Sequence, residues 1–344
     1  KDRNRETWIT CRMAHVYSLA SFLGHPGSKE LAAAAIKGLR GELHDTANGG
    51  WYAGLTADGN ILPNKQCYAH AFVILAASSG VLADVPGAKE LLDDALALYD
   101  LRFWNEEEGL SCDTWNTEFT VLDDYRGLNA NMHTVEAFLA AADVTGDEKY
   151  RVRAGRIIDH VVGWASANNW RIPEHFTKEW VADLECNKDR PDDQFKPYGA
   201  TPGHGIEWSR LITQWALSTF KGDKEGASKY ITVAENLYNT VGKSHHKTGD
   251  SKRHNVFDPA PAKAHGIFFQ VENCFFSCKK LQNPQSRTHL RKNRSCCSAF
   301  YSHMKNKNKK WIQNNIQHSA NENSQHSHIS KALVVNKRIH SKSD

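Results

Sequence analysis

Apolar positions recur at helical spacing in eight segments of the chain, 8–23, 28–43, 65–79, 87–102, 131–144, 147–166, 204–220 and 224–241. That spacing puts apolar side chains on one helical face, so the pattern predicts eight helices. Two kinds alternate. "SKELAAAAIKGLRGEL" (28–43), 147–166 and 224–241 are amphipathic, with Lys, Glu and Arg on one face and aliphatic residues on the other. "KQCYAHAFVILAASS" (65–79), 131–144 and 204–220 are apolar nearly all round, which demands burial on most sides.

Gly-, Asp- and Trp-rich stretches separate the helix pairs, at 45–60, 105–119 and 168–180, and read as hairpins and loops. The repeating unit is a buried helix, an amphipathic helix and a long loop, with a period of roughly 60–70 residues, longer than the common solenoid repeats. A ring of buried helices inside a ring of amphipathic ones satisfies this pattern, and the long aromatic loops favour it over an open solenoid. In such an (α/α) toroid the inner helices run the same way, so their N-termini converge on one face.

The pattern stops near residue 241, and the charge changes with it. Residues 1–241 carry 24 Lys/Arg against 34 Asp/Glu, a net −10, whereas 242–344 carry 19 against 5, a net +14. The second segment is rich in Lys, Asn, Ser, Gln and His and buries too little apolar area to offset the entropy of ordering. The reading is a helical domain over 1–241 and a basic, disordered or frameshift-derived tail over 242–344. No apolar run approaches membrane-spanning length, and no signal peptide is visible. Cys11, Cys67, Cys112 and Cys186 sit in helical or aromatic contexts and read as reduced thiols of a cytoplasmic protein. Cys274, Cys278, Cys296 and Cys297 have loose zinc-like spacing without a supporting context.

Candidate chemistry lies at the start of each buried helix. Trp8, Arg12 and His15 share a face; Tyr68 and His70 open the next helix; Asn129, His133 and Glu136 follow; His204, Glu207 and Trp208 complete the set. A single His on an apolar helix is ordinarily a satisfied core residue, Trp8 and Trp208 also suit a core, and Glu136 and Glu207 also suit partners for Arg210 or Arg12. The functional reading rests on recurrence of such groups at one place in four units. The acidic clusters Asp123–Asp124 and Glu106–Glu108 fall in loops, so a glycosidase carboxylate pair is not supported. Imidazoles suit proton transfer next to a carbonyl near neutral pH, and Arg12 suits a developing enediolate oxygen. No Gly-rich phosphate loop and no H-E-x-x-H motif is present, which argues against nucleotide and metal chemistry.

"TWITCRMAHVYS" (7–18), "GGWYAGL" (49–55), "DYRGLNANMHTVEAFLAAADVTGD" (124–147) and "PYGATPGHGIEWSRL" (197–211) resemble the N-acylglucosamine 2-epimerase superfamily. Within it they are most similar to bacterial aldose–ketose isomerases acting on mannose or sulfoquinovose. The resemblance runs from about residue 5 to about 241. It implies an all-α (α/α)6 barrel with a funnel-shaped monosaccharide site, no cofactor and no metal, and no nucleic-acid or membrane partner. It also implies proton transfer through a cis-enediol, with His204 and His133 as acid/base residues and Arg12 beside them. Tyr68, Asn129 and Glu207 fall on substrate-contact positions and Trp8 on a site aromatic. The alternatives are a 2-epimerase on N-acylglucosamine and an inactive barrel that only binds sugar. Twelve helices close such a barrel and eight are counted, so the barrel is expected to be incomplete at both ends. The family's C-terminal third carries a second acid/base His; residues 242–344 contain ten His, none in that context, and His204 is left without an assigned partner. Lys196, just before "PYGATPGH", is the one basic loop residue placed to meet an anionic sugar substituent.

Overall fold

The computed structural model describes residues 3–193 and 195–245, the last four as backbone only. The tail predicted for 242–344, with its four cysteines, lies almost wholly outside the described residues. Among those described, all eight expected helices form. The apolar ones are α1 (Thr7–Phe22), α3 (Cys67–Leu82), α5 (Leu128–Thr145) and α7 (Pro202–Phe220). The amphipathic ones are α2 (Ser28–Arg40), α4 (Ala88–Arg102), α6 (Glu148–Ala167) and α8 (Lys224–His245). Each apolar helix packs on the amphipathic helix that follows it and on the next apolar helix, with α3 seated between α1 and α5. This is the inner-and-outer arrangement of the (α/α)6 barrel, of which the described residues supply four hairpins.

The hairpins turn tightly because the sequence supplies the residues for it. Gly27 and Gly87, each after a proline, precede α2 and α4 with φ of 75° and 78°, a region that costs Gly little. The third turn uses Gly146, after which the Asp147 side chain accepts the Lys149 N–H and caps α6. Burial follows the apolar pattern. In α3 nearly every residue from Cys67 to Leu82 is buried, whereas α2 buries only Ser28, Ala32, Ile36 and Leu39. The end helix α1 leaves Ile9, Met13 and Val16 exposed along one stripe.

Close helix contact also depends on Gly155 in α6. A Cβ there would lie 2.5 Å from Cζ2 of Trp215 in α7, whose indole N–H donates to the Arg151 carbonyl at 2.9 Å. Gly155→Val is therefore expected to overpack the α6–α7 contact and cost about 1–3 kcal/mol. A thermal midpoint equal to that of the unsubstituted protein would contradict this packing.

Nine two-residue strands lie in the connections among the described residues. β1 (Arg5–Glu6), β4 (Lys65–Gln66) and β8 (Arg126–Gly127) stand directly before α1, α3 and α5. They pair antiparallel with β2 (Gly54–Leu55), β7 (Thr114–Trp115) and β9 (His175–Phe176), which follow α2, α4 and α6. Of the rest, β3 (Ile61–Leu62) pairs with β2, and β5 (Trp104–Asn105) with β6 (Leu110–Ser111). The loops after α2, α4 and α6 are thus each tied to the start of their own inner helix. Among the described residues no helix is long and apolar enough to cross a membrane. Cys11, Cys67, Cys112 and Cys186 are free thiols.

Candidate active site

The strand pairs place one residue per repeat at each inner-helix mouth. The first N–H of the helix donates to a carbonyl 46 residues later in all three repeats: Thr7 to Ala53 at 3.0 Å, Cys67 to Asp113 at 2.8 Å and Leu128 to Glu174 at 3.0 Å. The mouths of α1, α3 and α5 are therefore held by main chain, and side chains on the first turns of these helices and of α7 meet there.

Arg12 stands at the α1–α3 contact. Its guanidinium lies over the rings of Phe72 at 4.6 Å and Trp8 at 5.4 Å and donates to the Tyr68 hydroxyl oxygen at 3.3 Å. Its Nε is buried with no hydrogen-bond partner among the described residues. Burial pushes the Tyr68 phenol up, with Arg12 opposing, so Tyr68 keeps its proton and can donate it. The Tyr68 ring meets His133 edge-on at 5.1 Å, and Phe72 lies 4.5 Å from the same imidazole.

His133 leads to the acidic side of the site. Its Nδ1 is 3.2 Å from Glu136 Oε2 and 4.0 Å from Glu207 Oε1. Arg210 bonds Glu136, and lies 3.4 Å from Glu207. Burial would raise the Glu136 carboxyl, but the Arg210 guanidinium and His133 hold it well below the ordinary carboxylate range. His133, Glu136 and Glu207 are close enough to hold a metal ion. Arg210 already supplies the positive charge there, and a cation would have to displace it.

His204, in the first turn of α7, is bound by Glu174 of the preceding loop. Its Nδ1 lies 2.9 Å from Glu174 Oε2, and the carboxylate's Oε1 accepts the Thr201 N–H at 3.1 Å. Burial alone would lower the His204 pKa; the charge of Glu174 and its hydrogen bond, with Glu207 behind, outweigh burial and raise it above 6.5. A Cβ on the next residue, Gly205, would lie 2.8 Å from Val241, so α8 can approach only because that position has no side chain.

Of the seven predicted site residues, the structure brings Trp8, Arg12, Tyr68, His133 and Glu207 into one connected cluster, with His204 beside Glu207. Asn129 is half-buried in the first turn of α5. Other members of the polar sets belong elsewhere. His15 is buried with Nδ1 2.6 Å from the Ser79 hydroxyl, deeper along α1. His70 is spent on the main chain: Nδ1 meets the Gln66 carbonyl at 2.7 Å and Nε2 accepts the Trp51 N–H at 3.1 Å. Burial drives its pKa down to about 3, so it stays neutral. Trp208 is fully buried core and cannot stack on a ligand. Lys196 lies 3.5 Å over the Tyr125 ring, with its charge near Asp113, and so is engaged by the connection between α4 and α5. Reading the sequence misses Glu174, Phe72 and Phe195, whose ring stands 6.3 Å from Trp8 and 6.5 Å from Tyr68.

The family profile described as N-acylglucosamine 2-epimerase (GlcNAc 2-epimerase) matches residues 1–327. The chain belongs to this family. Within the N-acylglucosamine 2-epimerase family it is 46% identical over 208 residues to a D-mannose isomerase of Thermobifida fusca, covering 60% of this chain and 51% of that protein. It is 44% identical over 233 residues to a D-mannose isomerase of Pseudomonas cannabina pv. alisalensis, covering 67% and 56%. A crystal structure of D-mannose isomerase superposes with a TM-score of 0.66 at 28% identity, covering 73% of this chain and 62% of that one. The cellobiose 2-epimerase of Spirochaeta thermophila shares the fold with a TM-score of 0.60 at 19% identity, covering 70% and 61%. The chain spans about half the length of the curated relatives it matches.

Proposed function

We propose that this site belongs to an aldose–ketose isomerase that interconverts a mannose-type aldose and its 2-ketose. The observation that carries the reading is the meeting of Arg12, Tyr68 and His133 at one mouth with Glu207, beside a His204 whose Nδ1 is occupied. The naming of the curated relatives as D-mannose isomerases supports the choice of sugar.

The chemistry follows from these groups. Once the sugar ring is open, C1 is a carbonyl and the C2 proton is acidic. His204 takes that proton through Nε2, and the electron pair moves to give a cis-enediolate. The Arg12 guanidinium and the Tyr68 hydroxyl, already in contact with each other, donate to its oxygens, where negative charge develops. His133 passes a proton from O2 to O1, and His204 returns its proton to C1. The product is the ketose, with no net gain or loss of atoms or electrons. Trp8 offers an apolar face for the carbon skeleton, and Asn129 and Glu207 offer hydrogen bonds to hydroxyls.

Incubation of the protein with mannose is expected to yield fructose. A C2 epimer without ketose would replace this reading with the 2-epimerase reading suggested by the family's name. Sugar binding without turnover would defeat both and leave a binding site only.

A further inference from the structure

We propose that Glu174 is the positioning residue of His204, fixing which imidazole nitrogen faces the sugar and tying that nitrogen's place to the α5 mouth. The proposal rests on the reading of His204 as an acid/base residue.

The geometry is that of a bridge between two inner helices. The Glu174 main-chain carbonyl accepts the Leu128 N–H at the start of α5, the helix that carries His133. Its side chain reaches the other way, to α7: Oε1 accepts the Thr201 N–H at 3.1 Å and Oε2 lies 2.9 Å from His204 Nδ1. A single residue thus sets His204 relative to the helix of His133. The Glu174 side chain is 3% exposed, so the carboxylate is held by these partners and not by solvent.

Its ionised state dictates the tautomer of His204. A carboxylate only accepts, so the ring nitrogen facing it must carry the proton. With Nδ1–H committed, neutral His204 presents Nε2 as the lone-pair nitrogen. Glutamine at this place fails on the same count. It has one acceptor and one donor group, and both neighbours, the Thr201 N–H and the Nδ1–H, are donors. Whichever way the amide turns, one donor meets a donor or the imidazole must switch tautomer.

The repeat marks the residue out. The equivalent positions are Ala53 and Asp113, each accepting the first N–H of its own inner helix. In the first repeat the position contributes main chain alone. Burial raises the pKa of Asp113 to about 6, and its side chain is bonded by the adjacent Thr114 hydroxyl. At 174 the carboxylate hydrogen-bonds both the main chain and a side chain at the start of the following inner helix. The charged groups bearing on His204 are Glu174, from the loop just before β9, and Glu207 from α7 itself. Beyond Glu207 come His133 and Glu136 from α5, with Arg210, while α8 contributes the apolar Val241.

The test uses the full chain, with exchange of the histidine C2 hydrogen for deuterium read by mass spectrometry on the peptide holding His204. This gives the His204 titration midpoint without any turnover. In Glu174→Gln the midpoint is expected to fall by about one pH unit, a tenfold loss in proton affinity. In Glu174→Asp, which keeps the charge one methylene further back, it should fall part of the way. With mannose as substrate, Glu174→Gln should lower kcat about a hundredfold and KM by less than threefold. The acid limb of its pH–rate profile should move down by the same shift as the midpoint. A His204 midpoint unchanged in both variants overturns the proposal. Should the chain turn over no sugar, the exchange midpoints still decide the role of Glu174, and the isomerase reading fails separately. Should Glu174→Gln not fold, the Asp variant decides alone, and an unchanged midpoint there refutes the bridge.

Discussion

His204→Gln is expected to abolish conversion of mannose to fructose, lowering kcat by about 10³-fold or more while leaving sugar binding nearly intact. A positioned general base contributes typically about 10²–10⁴-fold, and a 10³-fold loss corresponds to about 4 kcal/mol of transition-state stabilisation. Glutamine fills much of the imidazole's volume and can still meet Glu174 Oε2 with its amide, so the α7 mouth should keep its shape. The amide cannot take a proton from carbon, and that is the difference the experiment isolates. The unsubstituted protein should also show a telltale pH dependence. His204 acts as a base only when neutral, and Glu174 raises its pKa above 6.5 in spite of burial. Activity should therefore fall as the pH drops through a midpoint above that value, because the imidazole then carries its proton already. Retention of more than a tenth of kcat in His204→Gln would remove this residue from the proton path.

Much of this is legible in the amino-acid sequence, for a physical reason. Helical periodicity is local, so the eight helices and their two kinds stand out from spacing alone, and their bounds differ by only a few residues from those observed. The cluster at the mouths is legible because Arg12, Tyr68, His133 and Glu207 each lie in the first turns of an inner helix. What stays hidden depends on partners far away along the chain. His15 and His70 look like members of the ring until Ser79 and the Trp51 main chain, 64 and 19 residues away, are seen to engage them. Glu174 lies in a loop, 30 residues from His204, and no periodicity marks it. Its signal is the constant interval of 46 residues from the inner-helix start, which only the strand pairing reveals. Lys65 reads by periodicity as the opening residue of a helix. It is instead the strand residue paired with Trp115, equivalent to Arg5 and Arg126 in the other repeats.

Lys65 gives the largest stability effect expected. Its ammonium is fully buried, 2.8 Å from Asp45 Oδ2 and 2.8 Å from the Gly49 carbonyl, beneath the rings of Tyr52 and Phe119. Asp45 is equally buried, and its Oδ1 also accepts the N–H groups of Ala47 and Asn48. The pair pins the loop after α2 onto the strand before α3, a helix in which nearly every residue is buried. Burial lowers the Lys65 pKa, with Asp45 opposing it. The Asp45 carboxyl is held well below its usual range: burial works the other way, but Lys65 and the Asn48 bonds prevail. Lys65→Met is then expected to destabilise the protein by about 3–5 kcal/mol, because it strands a buried carboxylate that cannot reach water. Asp45→Asn should cost a similar amount by stranding the ammonium. The double variant should recover part of the loss, since neither buried charge remains. Because the folded Asp45 pKa is depressed, its share of the stability is present above its unfolded pKa near 3.8 and is lost as pH falls through the lower folded value. Urea unfolding of the four proteins at neutral pH measures all of this. Single variants within about 0.5 kcal/mol of the parent, the range of ordinary surface changes, would show that the pair does not hold the loop.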